Sequence, residues 1–215
     1  MTIKAIIFDM DGVIIDSEAI NIKATKRAFE RQRLQLKKED YPLIVGRHPK
    51  DYNKDLRRKY KFDKVSMFKN QNIFFHQLFK NKIKACHAII KTVYSLKKRK
   101  YLLGLNTSTG RKDTMFVLKK YGLLKYFKAI VCFEDCKARK PSPNSYILTA
   151  KKLGAKPSEC IAIEDTKHGV QAAESAGITC FLLHTKFNKE LNYKNTLNKK
   201  ELLTKINLFL KNTSQ

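Results

Sequence analysis

Residues 3–13 read Ile-Lys-Ala-Ile-Ile-Phe-Asp-Met-Asp-Gly-Val, a largely apolar run that stops abruptly at two carboxylates one residue apart and then a glycine. Short runs rich in β-branched residues read as buried strands. Carboxylates at the end of such a strand are costly to bury unless they are paired or bound to metal. The carboxyl ends of strands are also where ligands bind in open α/β sheets. The chain therefore begins with the first strand of a sheet and runs from it straight into a candidate active site.

The residues that follow divide the 215-residue chain. Val13 to Glu18 reads as a second short extended piece, with Ser17 placed to cap a helix. From residue 16 to 84 helical spacing dominates, interrupted by Tyr41-Pro42 and by Gly46 to Pro49, so a small helical domain is expected there. Residues 1–15 and 85–215 form the expected core. Apolar runs at Tyr101–Leu105, Ala129–Cys132, Cys160–Ile163 and Ile178–Leu183 alternate with amphipathic stretches, and a closing helix is expected near residues 199–211. A helix after Pro143 carries Ser142 as its expected N-cap and Gly154 just past its end. Strands alternating with helices give an α/β fold, a parallel sheet with helices on both faces.

Composition narrows the class. No apolar run approaches the ~18 residues of a membrane span, and too few apolar residues precede Asp9 for a signal peptide. A cytoplasmic protein is expected, with no membrane partner. The five cysteines are odd in number and scattered, without a zinc-type pair, and read as small buried thiols. With 45 basic residues against 19 acidic the net charge is +26. The lysines are spread over the whole chain and no nucleic-acid-binding motif accompanies them, so specific nucleic-acid binding is not expected.

Four strand ends carry polar residues: Asp9 with Asp11, Thr107 with Ser108 and Thr109, Lys140 in the loop after the third strand, and Glu164 with Asp165. In a parallel sheet all of them lie on one edge. Carboxylates gathered there repel one another unless a cation sits among them, and hard oxygen ligands without His or Cys select Mg²⁺. A hydroxyl and a lysine beside that ion suit a phosphoryl group. With no Ser–His pair and no suitable Cys, a carboxylate is the candidate nucleophile. One Asp would attack phosphorus while the other, protonated, serves the leaving oxygen, which requires water to be excluded. The helical insert is placed to act as a lid.

Taken together, Asp9-Met10-Asp11-Gly12-Val13 with Asp16-Ser17-Glu18, Thr107-Ser108, Lys140-Pro141-Ser142-Pro143 and Ile163-Glu164-Asp165-Thr166 with Gly169 resemble the haloacid dehalogenase-like hydrolase superfamily over nearly the whole chain. The resemblance is to the branch of phosphoglycolate phosphatase and β-phosphoglucomutase. It implies a Rossmann-like core with a helical cap domain after strand one, and a Mg²⁺-dependent phosphatase working through an aspartyl-phosphate. It further implies Asp9 as nucleophile and metal ligand, and Asp11 as general acid/base with its carbonyl on the metal. Thr107, Ser108 and Lys140 become phosphate holders, and Glu164 and Asp165 further metal ligands. Arg47, His48 and Lys50 lie on a cap turn that in this branch can face substrate.

An acid at position 11 favours phosphate ester chemistry over dehalogenation. Asn21 stands where the mutase branch usually has His and cannot shuttle a proton, which disfavours a phosphosugar mutase. Arg139 replaces a usual Gly, and Asn144 a usual Asp. The expected activity is hydrolysis of a small phosphorylated metabolite, such as a sugar phosphate or phosphoglycolate, by a monomer. The alternatives are the mutase and a basic nucleic-acid-binding protein on a degenerate phosphatase fold.

Overall fold

A computed structural model describes residues 2–185, 187, 188, 191 and 193–213. The chain divides into two compact units, Met1–Ile15 with Ala85–Gln215, and Asp16–Lys84.

In the first unit the apolar runs become a parallel sheet. Its strands are β1 (Ala5–Phe8), β2 (Leu102–Asn106), β3 (Ala129–Val131), β4 (Cys160–Glu164), β5 (Thr179–Leu183) and β6 (Thr196–Leu197). Their order is β3-β2-β1-β4-β5-β6. The centre of the sheet is the start of the chain: Ala5 pairs with Leu102 on one side and with Cys160 on the other. All four residues of β1 are fully buried, as expected for a strand covered on both faces. Burying each of its Ile and Phe side chains contributes roughly 1.5–3 kcal/mol.

The helices of this unit are named after those of the insert, which carries α1 to α4. They are α5 (His87–Lys98), α6 (Arg111–Lys120), α7 (Asn144–Leu153), α8 (Lys167–Ser175) and α9 (Leu202–Asn212). Ala5 and Ile7 join Tyr146, Ala150 and Leu153 of α7 and Val170, Ala172 and Ala173 of α8 in one buried cluster. On the other side Phe181 meets Phe209 of α9 edge-on at 5.2 Å, and α5 packs against β2 and α9. The alternation of side chains along each strand thus feeds two helical layers.

The second unit contains α1 (Glu18–Arg31), α2 (Tyr41–Ile44), α3 (Pro49–Lys59) and α4 (Lys64–Lys82). Small residues Ala24 and Ala28 let α1 lie along α4, with Phe29, Met67, Leu78 and Phe79 buried. Asp63 caps α4 by accepting from Ser66 N at 2.7 Å. Buried amides satisfy each other, Asn53 and Gln71 exchanging two hydrogen bonds at 2.7 and 3.0 Å.

Three local expectations are corrected. Val13 to Glu18 is not extended but starts as a turn, in which Ile14 N and Ile15 N both donate to Met10 O. Ser17 makes no side-chain cap because its backbone is already helical, at φ −86° and ψ −21°. Ser142 is not the N-cap either: α7 starts one residue later than expected, behind Pro143, and Ser142 Oγ is 3.5 Å from Asn144 N. All five cysteines are unbridged thiols, three of them buried. Among the described residues no helix is long and apolar enough to cross a membrane.

Candidate active site

The strands are parallel, so the residues following β1, β2 and β4 emerge on one edge of the sheet. Asp9 leaves β1 with its N–H donating to Ile163 O at 2.9 Å, and is 6% exposed. The chain then turns sharply at Gly12, whose φ of +75° lies in the left-handed region. A Cβ there would lie 1.7 Å from Asp165 Oδ2, so the turn after β1 and the end of β4 are pressed together in a way only glycine permits. Oxygens of Asp9, Glu164 and Asp165 all fall within 4.8 Å of one another, and all three residues are buried.

Lys140 reaches into this group from the loop before α7. Its Nζ donates to Asp9 Oδ1 at 2.6 Å, to Glu164 Oε1 at 2.6 Å and to Asn106 O at 3.2 Å. The ammonium also lies 5.1 Å from the centre of the Tyr146 ring. Burial alone would lower its pKa, but Asp9 and Glu164 outweigh that and hold it above its ordinary value. Burial, and then Glu164, push the Asp9 carboxyl well above the usual range against the pull of Lys140.

Glu164 is held from several sides. Tyr146 OH donates to its Oε1 at 2.6 Å and Thr166 Oγ1 approaches Oε2 at 3.5 Å. Burial followed by the Glu164 charge raises the Tyr146 phenol, keeping it a donor. A Cβ on Gly169 would lie 2.0 Å from Glu164 Oε2, so the carboxylate is seated on the bare backbone of α8.

Asp11 is served by the loop after β2. Thr107 N donates to Val131 O at 3.0 Å, and Thr107 Oγ1 donates to Asp11 Oδ2 at 3.2 Å. Thr109 Oγ1 donates to the same oxygen at 2.7 Å, while Thr109 N donates to Thr107 Oγ1 at 3.0 Å. Ser108 is exposed between them. Two hydroxyls therefore fix one carboxylate two residues beyond another that is paired with an ammonium.

Among the described residues the four carboxylates share one paired ammonium, that of Lys140, which leaves an excess of negative charge that offers oxygen donors to a cation. That donor set fits Mg²⁺, and the close approach at Gly12 keeps Asp165 beside the turn after Asp9.

The structure brings Asp9, Asp11, Thr107, Lys140, Glu164 and Asp165 together by direct contact or a shared cluster. The remaining candidates have local partners within the Asp16–Lys84 unit. Arg47 donates to Asp55 Oδ2 at 2.7 Å and to Leu43 O at 3.1 Å. His48 Nδ1 accepts from Lys50 N at 3.1 Å as the cap of α3, and Lys50 Nζ lies 5.8 Å from the Phe68 ring centre. Tyr146 and Asn188 belong to the site without having been singled out for it, and Thr109, noted at the end of the second strand, was given no role. Thr109 was legible only as one more hydroxyl in a Thr-Ser-Thr run. Asn188 donates to Asp165 O at 2.7 Å from a segment with no motif at all.

Comparison with known proteins agrees with this geometry. The sequence profile of the haloacid dehalogenase-like hydrolases matches residues 6–183. The chain is similar to the phosphorylated carbohydrates phosphatase of Thermotoga maritima, at 29% identity over 180 residues covering 81% of this chain and 82% of that protein. It is likewise similar to pyrophosphatase PpaX of Bacillus velezensis, at 28% identity over 176 residues, covering 81% and 80%. Among solved structures, β-phosphoglucomutase from Clostridium difficile superposes with a TM-score of 0.79 at 23% identity, covering 99% of each chain.

Proposed function

The chain belongs to the haloacid dehalogenase-like hydrolase family, and we propose that within it this protein is a Mg²⁺-dependent phosphatase of small phosphorylated metabolites, using Asp9 as nucleophile and Asp11 as general acid/base. The observation that carries the proposal is Lys140 Nζ donating at 2.6 Å to both Asp9 and Glu164 inside a buried acidic cluster. The named activities of the similar proteins point to a sugar phosphate ester or to a phosphoanhydride such as pyrophosphate, and phosphoglycolate is a further candidate.

In the first half-reaction an Asp9 carboxylate oxygen bonds to phosphorus as the ester P–O bond breaks, and the Asp11 proton passes to the departing oxygen. In the second a water oxygen bonds to phosphorus, the bond to Asp9 breaks, and the water's proton passes to Asp11. Ester plus water gives alcohol plus phosphate. Thr107 Oγ and Lys140 Nζ hold the phosphoryl oxygens, and Thr109 keeps Asp11 oriented. Asp9, Asp165, Glu164 and the Asp11 carbonyl would hold Mg²⁺, which supplies charge compensation for the phosphoryl group. Asn21, whose side chain accepts from Tyr52 OH at 3.5 Å, has no titrating group with which to serve a mutase.

The test is hydrolysis of p-nitrophenyl phosphate with Mg²⁺ and with EDTA. Wild type releases phosphate only with the metal, and Asp9→Asn abolishes release. Turnover by Asp9→Asn at the wild-type rate defeats the reading. A panel of phosphorylated sugars, phosphoglycolate and pyrophosphate then assigns the substrate. The working form is a cytoplasmic monomer.

A further inference from the structure

The family match ends at residue 183, yet two side chains beyond it reach back to the acidic edge of the sheet. Asn188, 7% exposed, uses its whole amide: Nδ2 donates to Asp165 O at 2.7 Å and Leu183 O at 2.9 Å, and Oδ1 accepts from Thr185 N at 2.7 Å. An Asp at this position would set a carboxylate against two carbonyls, and an apolar residue would take away the Asn188 bonds to two buried carbonyls and the part-buried Thr185 N–H. Lys199 Nζ donates to Gly12 O at 2.9 Å. Two residues before it, β6 ties the segment down: Leu182 N donates to Asn195 O at 2.9 Å and His184 N to Leu197 O at 2.7 Å.

Two of the three carbonyls held, those of Asp165 and Gly12, belong to the two turns that touch. Gly12 follows the Asp9–Asp11 pair, its N–H already bonded to Ile15 O at 2.7 Å, and its Cα side faces the Asp165 carboxylate at a distance no side chain tolerates. A drift of either turn changes the spacing of the carboxylates. We infer that Asn188 and Lys199 are positioning residues, a clamp from beyond the family match that holds the Asp165 and Gly12 turns by their backbone carbonyls and so sets the acidic cluster for Mg²⁺ and phosphate. The inference rests on the metal-assisted phosphatase reading. Lys199 also places a positive charge behind the turn that follows Asp9 and Asp11, while Asn188 acts through geometry alone.

Supporting partners of this kind typically contribute about 10–100-fold in metal affinity or activity. The experiment titrates MgCl₂ calorimetrically into wild type, Asn188→Ala, Lys199→Met and Lys199→Arg, with kcat and KM for p-nitrophenyl phosphate measured alongside. Asn188→Ala weakens Mg²⁺ binding about tenfold. Lys199→Met weakens it less and lowers kcat more than it raises KM, and Lys199→Arg, which still donates to a carbonyl, regains most of both. Folded variants with wild-type Mg²⁺ affinity and kcat overturn the clamp, whatever their melting temperatures. Should Asn188→Ala not fold, the part-buried Lys199 decides alone, since Lys199→Met at wild-type affinity and kcat overturns it. Failure of wild type to hydrolyse the ester would sink the phosphatase reading while the affinities still judge the clamp. A wild type that binds no Mg²⁺ overturns both.

Discussion

Thr109 Oγ1 stands 2.7 Å from Asp11 Oδ2, closer than the 3.2 Å of Thr107. When a phosphoryl group claims the Thr107 hydroxyl, Thr109 is the donor that stays on the acid. A hydrogen bond to a charged group contributes about 1.5–3 kcal/mol, and ~1.4 kcal/mol is a tenfold rate factor. Thr109→Val, nearly the same shape, should therefore lose at least about tenfold in kcat with KM little changed, and Thr109→Ser should recover most of it. Steady-state kinetics on the three proteins decides this, and an unchanged kcat in Thr109→Val refutes it.

In the proposed phosphatase Lys140 has two tasks that separate experimentally. As a donor to the transition state its loss should cost about a hundredfold or more in kcat/KM. As the ammonium between Asp9 and Glu164 its loss leaves buried carboxylates uncompensated, a cost of about 3–5 kcal/mol. Lys140→Met should thus melt well below wild type in EDTA and regain part of the difference on addition of Mg²⁺, a cation taking the ammonium's place. Melting curves with and without metal test this, and equal melting temperatures in EDTA would contradict it.

Gly12→Ala should fail at the metal. The new methyl would lie 1.7 Å from Asp165 Oδ2 on a backbone at φ +75°, so the carboxylate or the turn must move. The expected result is loss of Mg²⁺-dependent hydrolysis together with a smaller Mg²⁺-induced rise in melting temperature. A variant that keeps the full rise shows that the two turns are not rigidly matched.

The Arg47 hydrogen bond holds the Asp55 carboxyl below its ordinary range. A carboxylate whose folded pKa is depressed adds stability above its unfolded pKa of about 3.9, and that stability is lost as pH falls through the lower, folded value. In Arg47→Ala the Asp55 resonance should titrate at higher pH, though Arg58 and Lys54 still draw it down, and the corresponding acid-side loss of stability should shrink. NMR titration of the Asp55 side chain measures it, and an unmoved midpoint means that Arg47 is not what holds this carboxyl.

The parts of the fold written as buried apolar runs were legible, because a strand covered on both faces has little choice but to be apolar. The two-residue β6 was not: Thr196–Leu197 sits in an Asn- and Lys-rich stretch and becomes a strand only by pairing with β5. Ser17 and Ser142 have the composition of helix caps, yet the backbone at Ser17 and Pro143 is already helical, and local preference yields to the chain's entry path. In the site, Asp9, Asp11, Glu164 and Asp165 stood out because charge at the end of an apolar run needs a reason, and Lys140 stood out by its place in the loop after the third strand. Tyr146 resembles any aromatic on an apolar helix face until its hydroxyl is found on Glu164. Asn188 and Lys199 act on backbone carbonyls, which are the same for every residue type and leave no trace in sequence spacing.

The sheet order has a consequence for how the molecule is made. β1 is synthesised before the strands it pairs with, which begin at Leu102 and Cys160. Closing loops of that length must precede any reward from pairing, which makes assembly slow, and domains of a growing chain tend to form in the order of synthesis. The Asp16–Lys84 helices meet one another over shorter separations, α1 against α4, and can form while the fully buried β1 still waits unpaired. Pulse-labelled hydrogen exchange during refolding should find the amides of α1 and α4 protected before those of Ile6 and Ile7. The segment that carries Asp9 would then be among the last to acquire its final surroundings.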